Sequence, residues 1–483
     1  MTTTAPLTSA RLDEDEFLAL RAAVLAQWPT GAEVDLESGL EVLRALPEHK
    51  NASLVLARAQ DDGRTLVQPR GGVATVEGQV ELLVHLQEAG ADLLPSTLDS
   101  YTRTIRFEEA EAGLLRSLES GESFLNGFPA VNHGVAGCRR VVEAVDRPMI
   151  GRPGTPDARL AAEIMFAAGY TDFEGGPLDY LFAYTQSTSP ADVIRNWDYI
   201  YRLVGWYEER GVPMHQEQYG SITGTLVPPG LAIAVTTLEA LLAARQGVRH
   251  VGLGYGQEGH LVQDVAALRV APEIARGYLD RYGFTDVRVG SVFDQWMGAF
   301  PADEGAAMGV IGWGAVTAAY GRAVEVITKS PHEAAGVPTK EANASGVRAT
   351  AQILGMLRSQ PFPDTAALEE EMHIIRLEAT SVIDRAIELG EGDLAAGICR
   401  AIEAGALEIP FSPSRACAGK IMPVRDAEGA VRLWDFGDLP YPAEVKAYHQ
   451  ARVTRRESAE GRSAGYSMLV DDVNAISLGH LVR

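Results

Sequence analysis

Cysteine is scarce in this chain. There are 3 in 483 residues, Cys138, Cys399 and Cys417, with no CxxC spacing. That excludes a disulfide scaffold, a zinc ribbon and an iron–sulfur cluster, and it fits a reducing cytosol. Long apolar runs are missing as well, and none approaches the roughly 18 residues needed to span a bilayer. The opening stretch, MTTTAPLTSARLDEDEF, lacks the charged-then-apolar order of a secretory signal, so a cytoplasmic, non-membrane protein is expected. Basic charge is short too: 42 Lys and Arg against 65 Asp and Glu give a net charge of −23. Non-specific nucleic-acid binding rests on clustered cations and is excluded. A small anionic ligand feels only its local field, so arginines gathered at one place would still serve one.

Some motifs are absent or misleading. No Walker lysine motif and no HExxH occurs. GYGQEG (Gly254, Gly256, Gly259) satisfies GxGxxG, but this chain holds 49 glycines. The match falls in the seventh candidate strand rather than in a first βαβ unit, and the acidic residue usual at the next strand's end is missing, so a dinucleotide site is set aside.

What is present is alternation. Between residues 62 and 345, short apolar or β-branched runs (TLVQPR, ADLLPST, SFLNGFP, PMIGRP, TDFEGG, PMHQEQYG, HVGLGYG, VRVGSVF, VEVITKSP) alternate with helical patterns, several ending at glycine. Such a series predicts a parallel α/β fold, here a (β/α)8 barrel of TIM type, with a doubly wound sheet as the alternative. Nine runs are one too many, and TDFEGG is expected to be a loop. Residues 1–61 read as an N-terminal segment of two helices. Residues 346–483 read as a C-terminal, α-rich extension, helical over PDTAALEEEMHIIRLEATSVIDRAIELG and turn-rich afterwards.

In such a barrel, functional residues stand at the C-terminal strand ends. Read in order, those ends offer Arg70, Arg103, Asn126, Arg152 and Glu174, with Tyr180 and Tyr184 just beyond. Singly, each arginine reads as a surface charge. Three on one mouth need anions, because their forks repel one another without a carboxylate between them. Two arginine-bound carboxylates, with an ammonium for Glu174, describe an acidic amino acid. Tyr180 and Tyr184 are either core aromatics or two hydroxyls that reach one ligand. Lys329 and Glu333 are either an ion pair closing a loop or a clamp on a sugar hydroxyl or phosphate.

The stretches QWPTG, QPRGGV, LPSTLDSYTR, LNGFPAVNHGV, GTPD, TGTLVPP, QWMGAFP, PHEAAGVPTKEANA and AGKIMPVRD occur in this order. Together they resemble the catalytic (epsilon) subunit of glutamate mutase, also called methylaspartate mutase, from residue 16 to the C-terminus. The resemblance implies an isomerase that interconverts L-glutamate and (2S,3S)-3-methylaspartate through an adenosylcobalamin-dependent radical rearrangement. It makes Arg70, Arg103, Arg152, Glu174, Tyr180 and Tyr184 substrate contacts, with Glu174 and Arg103 in catalytic roles. Gly72, Asn126, Ala183, Phe300, Lys329, Glu333 and Val337 fall on cofactor positions, which favours the clamp reading of Lys329 and Glu333.

In this enzyme class the cobalt's lower axial ligand is a histidine in a DxHxxG motif. None of the 10 histidines here has an aspartate two residues before it. A separate small cobalamin-binding (sigma) subunit is therefore implied, with a self-dimer of this chain giving a heterotetramer, and no metal ligand is expected in this chain. The CxxxCxxC triad of the other common radical route is also absent. Two departures from the family pattern stand out: Pro153 occupies a family histidine position and Ala183 a family proline position. They keep two alternatives open, a different amino dicarboxylate as substrate or a non-catalytic paralogue that binds an acidic amino acid.

Overall fold

The computed structural model describes residues 7–220 and 222–482. Eight strands, β1 (Leu66–Gln68), β2 (Leu94–Thr97), β3 (Met149–Arg152), β4 (Asp172–Glu174), β5 (His215–Gln218), β6 (His250–Gly256), β7 (Arg288–Asp294) and β8 (Glu325–Ile327), form one parallel sheet in the order β1-β8-β7-β6-β5-β4-β3-β2. The sheet curls until its ends meet. Asp92 N–H donates to Val67 O at 2.9 Å and Thr97 N–H to Gly71 O at 2.8 Å, which joins β2 to β1 and makes a (β/α)8 barrel.

The surplus run is SFLNGFP rather than TDFEGG. Asp172, Phe173 and Glu174 pair with both β3 and β5 and form a full strand. SFLNGFP contributes a single bridge, Leu98 to Phe128, because Gly127 and Pro129 flank Phe128 and break the ladder. TDFEGG looked like a loop because two of its three strand residues are acidic, yet both carboxyls are buried among the strands. Strand packing also accounts for GYGQEG. A Cβ on Gly254 would meet Tyr219 O at 2.0 Å, so that glycine lets the turn after β5 lie against β6.

Helices follow the strands and are capped by their own sequence. Thr75, Ser189, Asp303 and Thr339 accept backbone N–H bonds at helix starts, and Gly169 and Gly247 end helices at positive φ. Helix Pro229–Gln246 is buried on nearly every side, because helix Ala366–Gly390 of the extension lies over it and over helix Leu261–Arg281. The helix after β8, Lys340–Leu357, runs through residue 345.

The N-terminal segment holds three α-helices, Glu14–Leu25, Leu36–Ala45 and Ala52–Asp61, rather than two. The last of them places Ala52 and Leu56 against Leu66, Leu93, Ile150 and Val324 and plugs the end of the barrel where the strands begin. Beyond residue 405 the chain forms a hairpin of β9 (Met422–Arg425) and β10 (Val431–Asp435) and then helix Ala443–Glu460. That helix read as turn because its buried stripe is Val445, His449, Val453 and Arg456, half of it polar. Arg432 fastens the hairpin: its Nε lies 2.9 Å from Asp426 Oδ2 and its Nη1 donates to Glu371 Oε2 at 3.0 Å, all buried.

Candidate active site

The barrel lumen is polar. Gln68, Arg152, Asp172, Glu174, His215, Glu217 and Glu325 are all buried there, at or near strand ends. Carboxylate oxygens of Asp172, Glu217 and Glu325 lie within 4.8 Å of one another. His215 Nδ1 is 2.8 Å from Asp172 Oδ2. Burial alone would lower the imidazole's pKa, but Asp172 and Glu325 outweigh it and hold it raised. Glu325 is pushed up to about 7, by burial first and by Asp172 second.

Arg152 ends β3 above this layer. Its Nη1 donates to Gln68 Oε1 and to Glu217 Oε2, both at 3.3 Å, and its Nε stands 3.5 Å from Glu174 Oε2. Burial opposes the charge, but Glu174, Glu217 and Asp294 raise its pKa well above the ordinary value. The arginine between glycine and proline in GRPG is therefore an interior cation.

The other two arginines differ from it. Arg103 ends the short helix Ser100–Arg103, which Asp99 caps; its Nε donates to Leu98 O at 2.8 Å, and a Cβ on Gly154 would meet its Nη1 at 2.9 Å. Arg70 follows β1. Burial lowers its pKa and Arg152 does too, but Tyr219, Tyr184 and Asp294 leave it raised. Neither Arg70 nor Arg103 has an ion-pair partner among the described residues, and both line one open cavity of about 1000 Å³. Gly72, Asn126, Glu333 and Val337 line the same cavity. Val337 is 74% exposed at its rim. A Cβ on Gly72 would meet Thr97 O at 2.3 Å, so only glycine lets β1 and β2 close at the cavity floor.

Tyr180 and Tyr184 lie one turn apart on helix Pro177–Tyr184, with ring centroids 5.1 Å apart and nearly perpendicular. Tyr180 is wholly buried; its hydroxyl accepts from Gly154 N–H at 3.3 Å and donates to Glu174 O at 3.5 Å. Tyr184 is 39% exposed. One tyrosine thus fixes the turn after β3 while the other remains open.

Lys329 pairs with Asp294 rather than with Glu333: Nζ to Oδ1 is 3.5 Å. The ammonium is buried without a hydrogen-bond partner among the described residues, and its pKa is pushed down to about 8 by burial, with Asp294 partly restoring it. Glu333 Oε1 accepts from Ser330 N–H at 3.2 Å. Phe300 stands apart, packed with Trp296, Ala307 and Ile311, and Ala183 is half-buried on the tyrosine helix.

Sequence reading missed Gln68, Glu217, Asp294 and Tyr219. A signal was present in PMHQEQYG, where four polar residues in a row fill a strand that a barrel must bury.

The methylaspartate mutase E chain (MutE) family model matches residues 46–483. The chain belongs to that family. It is accordingly a mutase, an isomerase. Curated relatives called glutamate mutase epsilon subunit include one from Desulfitobacterium hafniense (strain Y51), 50% identical over 477 residues that cover 99% of each chain. Another, from Escherichia coli O157:H7, is 46% identical with 99% of each covered. A third, from Halobacterium salinarum (strain ATCC 700922 / JCM 11081 / NRC-1), is 48% identical with 98% of each covered.

Proposed function

We propose that this MutE-family chain holds L-glutamate at the barrel mouth and isomerises it to (2S,3S)-3-methylaspartate. The observation that carries the reading is the pair of cavity-lining arginines, Arg70 and Arg103, that make no ion pair among the described residues, beside an Arg152 that already has Glu174 and Glu217. In the isomerisation the bond from C2 to C3 of glutamate is exchanged for one from C2 to C4, and one hydrogen moves from C4 to C3. No carboxylate is lost, so charge-assisted forks on both can hold the substrate throughout. Arg70, Arg103 and Arg152 take the two carboxylates. Glu174 takes the ammonium and accepts its proton as the migrating fragment forms, and Tyr184, with Tyr180 behind it, closes the side wall.

The residues present fit adenosylcobalamin. The cavity is of ligand size, and Lys329 Nζ is a buried donor without a hydrogen-bond acceptor among the described residues. Gly72, Asn126, Glu333 and Val337 in the cavity lining, with the Lys329 ammonium, would hold its adenosyl group, and Phe300 and Ala183 lie outside that lining. When bound, the cofactor supplies the carbon-centred radical that takes up and returns the migrating hydrogen. The barrel walls and its plugged end keep water away from the reacting carbons. A small cobalamin-binding subunit provides the cobalt's histidine, two copies of each chain make a heterotetramer, and the assembly works in the cytoplasm.

The turn Arg152-Pro153 favours a second reading. Pro153 is buried and offers neither a backbone N–H nor a ring donor to a carboxylate. A different amino dicarboxylate would then replace glutamate.

The test is turnover of L-glutamate by the purified chain with a small cobalamin-binding partner and adenosylcobalamin, assayed for 3-methylaspartate. Product that disappears without the partner supports the first reading. A formed complex with bound cofactor and no product overturns it in favour of the second. Tight cobalamin binding by this chain alone would sink the two-subunit assignment.

A further inference from the structure

Helix Pro177–Tyr184 is only 8 residues long and carries both tyrosines of the mouth. So short a helix does not hold its place by its own backbone bonds. Its first residue, Pro177, has no N–H to satisfy. The next two N–H groups, of Leu178 and Asp179, both donate to Glu239 Oε1, at 2.7 and 2.9 Å. Glu239 comes from helix Pro229–Gln246 and sits directly beneath the tyrosine helix, where a Cβ on Gly176 would meet its Cδ at 2.3 Å. The Asp179 side chain reaches the other way. Its Oδ2 accepts from Gly220 N–H at 3.0 Å, in the turn after β5 that also carries Tyr219.

The two remaining carboxyl oxygens, Asp179 Oδ1 and Glu239 Oε2, are buried without a donor among the described residues. Glu239 Oε1 sits 2.9 Å from the Asp179 N–H, so the two donorless oxygens belong to adjacent buried carboxyls, and carboxyls so placed avoid two like charges by sharing a proton. We propose that Glu239 and Asp179 form a one-proton latch that positions helix 177–184, and with it Tyr180 and Tyr184, at the barrel mouth. The proposal rests on the substrate reading of that mouth.

The surroundings agree. The other groups near the pair are Glu174 of β4, the Tyr201 hydroxyl of helix Pro190–Glu209, and the backbone N–H groups of Tyr219 and Gly220; Tyr201 itself donates to Gln218 Oε1 at 2.7 Å. Neither carboxyl has an ion-pair partner among the described residues. Burial raises Asp179 to about 6 although Glu239 pulls it down, and burial together with Asp179 holds Glu239 well above its usual value. Both shifts are upward, so the folded helix binds the proton more tightly than the unfolded chain does. The one-proton latch is complete at neutral pH, above the Asp179 value of about 6, and fails once the shared proton leaves at alkaline pH. Losing it aims two buried carboxylates at each other and frees the helix N-terminus.

Two variants and two measurements decide the matter. In Glu239→Gln the amide oxygen still accepts both N–H groups and the amide nitrogen donates to Asp179, so the proton is no longer needed. In Glu239→Ala the acceptor is gone. The first measurement is hydrogen exchange of residues 178–184 without substrate, corrected for its intrinsic pH dependence; the second is KM and kcat for L-glutamate in the complete complex. Wild type is expected to lose protection and to show a KM rising about tenfold from neutral to alkaline pH, the scale of two orphaned buried donors. E239Q should keep both constant, and E239A should resemble alkaline wild type at neutral pH. Identical pH profiles for wild type and E239Q would overturn the latch, even if E239A fails to fold. Because exchange is read without ligand, a chain that did not turn over glutamate would still decide the latch while overturning the substrate reading.

Discussion

Arg152 and Glu217 face each other in the barrel lumen, Nη1 to Oε2 at 3.3 Å, on strands that are not neighbours in the sheet. Glu174 shares the guanidinium at 3.5 Å, while burial and the neighbouring Glu325, Glu174 and Asp172 push Glu217 well up against the pull of Arg152. Removing one partner of an isolated buried pair costs about 3–5 kcal/mol, and less here because Glu174 still faces Arg152 when Glu217 is replaced. Glu217→Gln should lower the thermal midpoint markedly and weaken glutamate binding, whereas Glu174→Gln should reduce turnover more than stability. Thermal unfolding and steady-state kinetics on both variants separate the two roles.

Arg103 predicts the reverse pattern. It is half-buried, and it spends one N–H on Leu98 O and makes no ion pair among the described residues. Arg103→Met should leave the thermal midpoint nearly unchanged while KM for glutamate rises about 10- to 100-fold, the loss of one charged hydrogen-bond pair at ~1.5–3 kcal/mol. Unchanged KM would remove Arg103 from the site.

Lys329 makes a prediction in pH. Its ammonium ionises near 8 in the folded chain against 10.5 in the unfolded one. Between these values the unfolded chain binds more protons, so this group's contribution to stability rises as pH climbs from about 8 to 10.5. Below that window the buried charge costs about 3 kcal/mol. Denaturant titrations of wild type and Lys329→Met across the window should show that upward slope in wild type only. The same deprotonation should weaken binding of the adenosyl group above pH 8.

Gly72 tests the cavity floor. Gly72→Ala forces a methyl against Thr97 O, and overpacking of this kind costs about 1–3 kcal/mol. The expected result is a lower thermal midpoint together with loss of cofactor binding, read by its visible absorbance in the reconstituted complex.

The barrel was legible in the sequence because strand and helix periods alternate for nearly 300 residues, and Arg152 was legible because it ends an apolar run. What stayed hidden followed a common cause. TDFEGG was discounted and Glu217 overlooked because acidic residues read as solvent-facing, whereas this lumen buries them against Arg152 and His215. Helix 443–460 was hidden by the same effect, with His449 and Arg456 standing where leucines would advertise a core. Tyr180 shows a different limit: it is a core aromatic whose hydroxyl also fastens the turn after β3, two roles that a spacing rule cannot tell apart.

Helix 52–61, which stoppers the strand-start end of the barrel, makes the molecule a vessel with one neck. On the proposed function, whatever reacts at the mouth would arrive and depart through the opening that a cobalamin-bearing partner would also cover. The small molecule therefore has to be seated before the neck is capped, and product must wait for the cap to lift. Traffic, rather than bond-making, then sets the order of events.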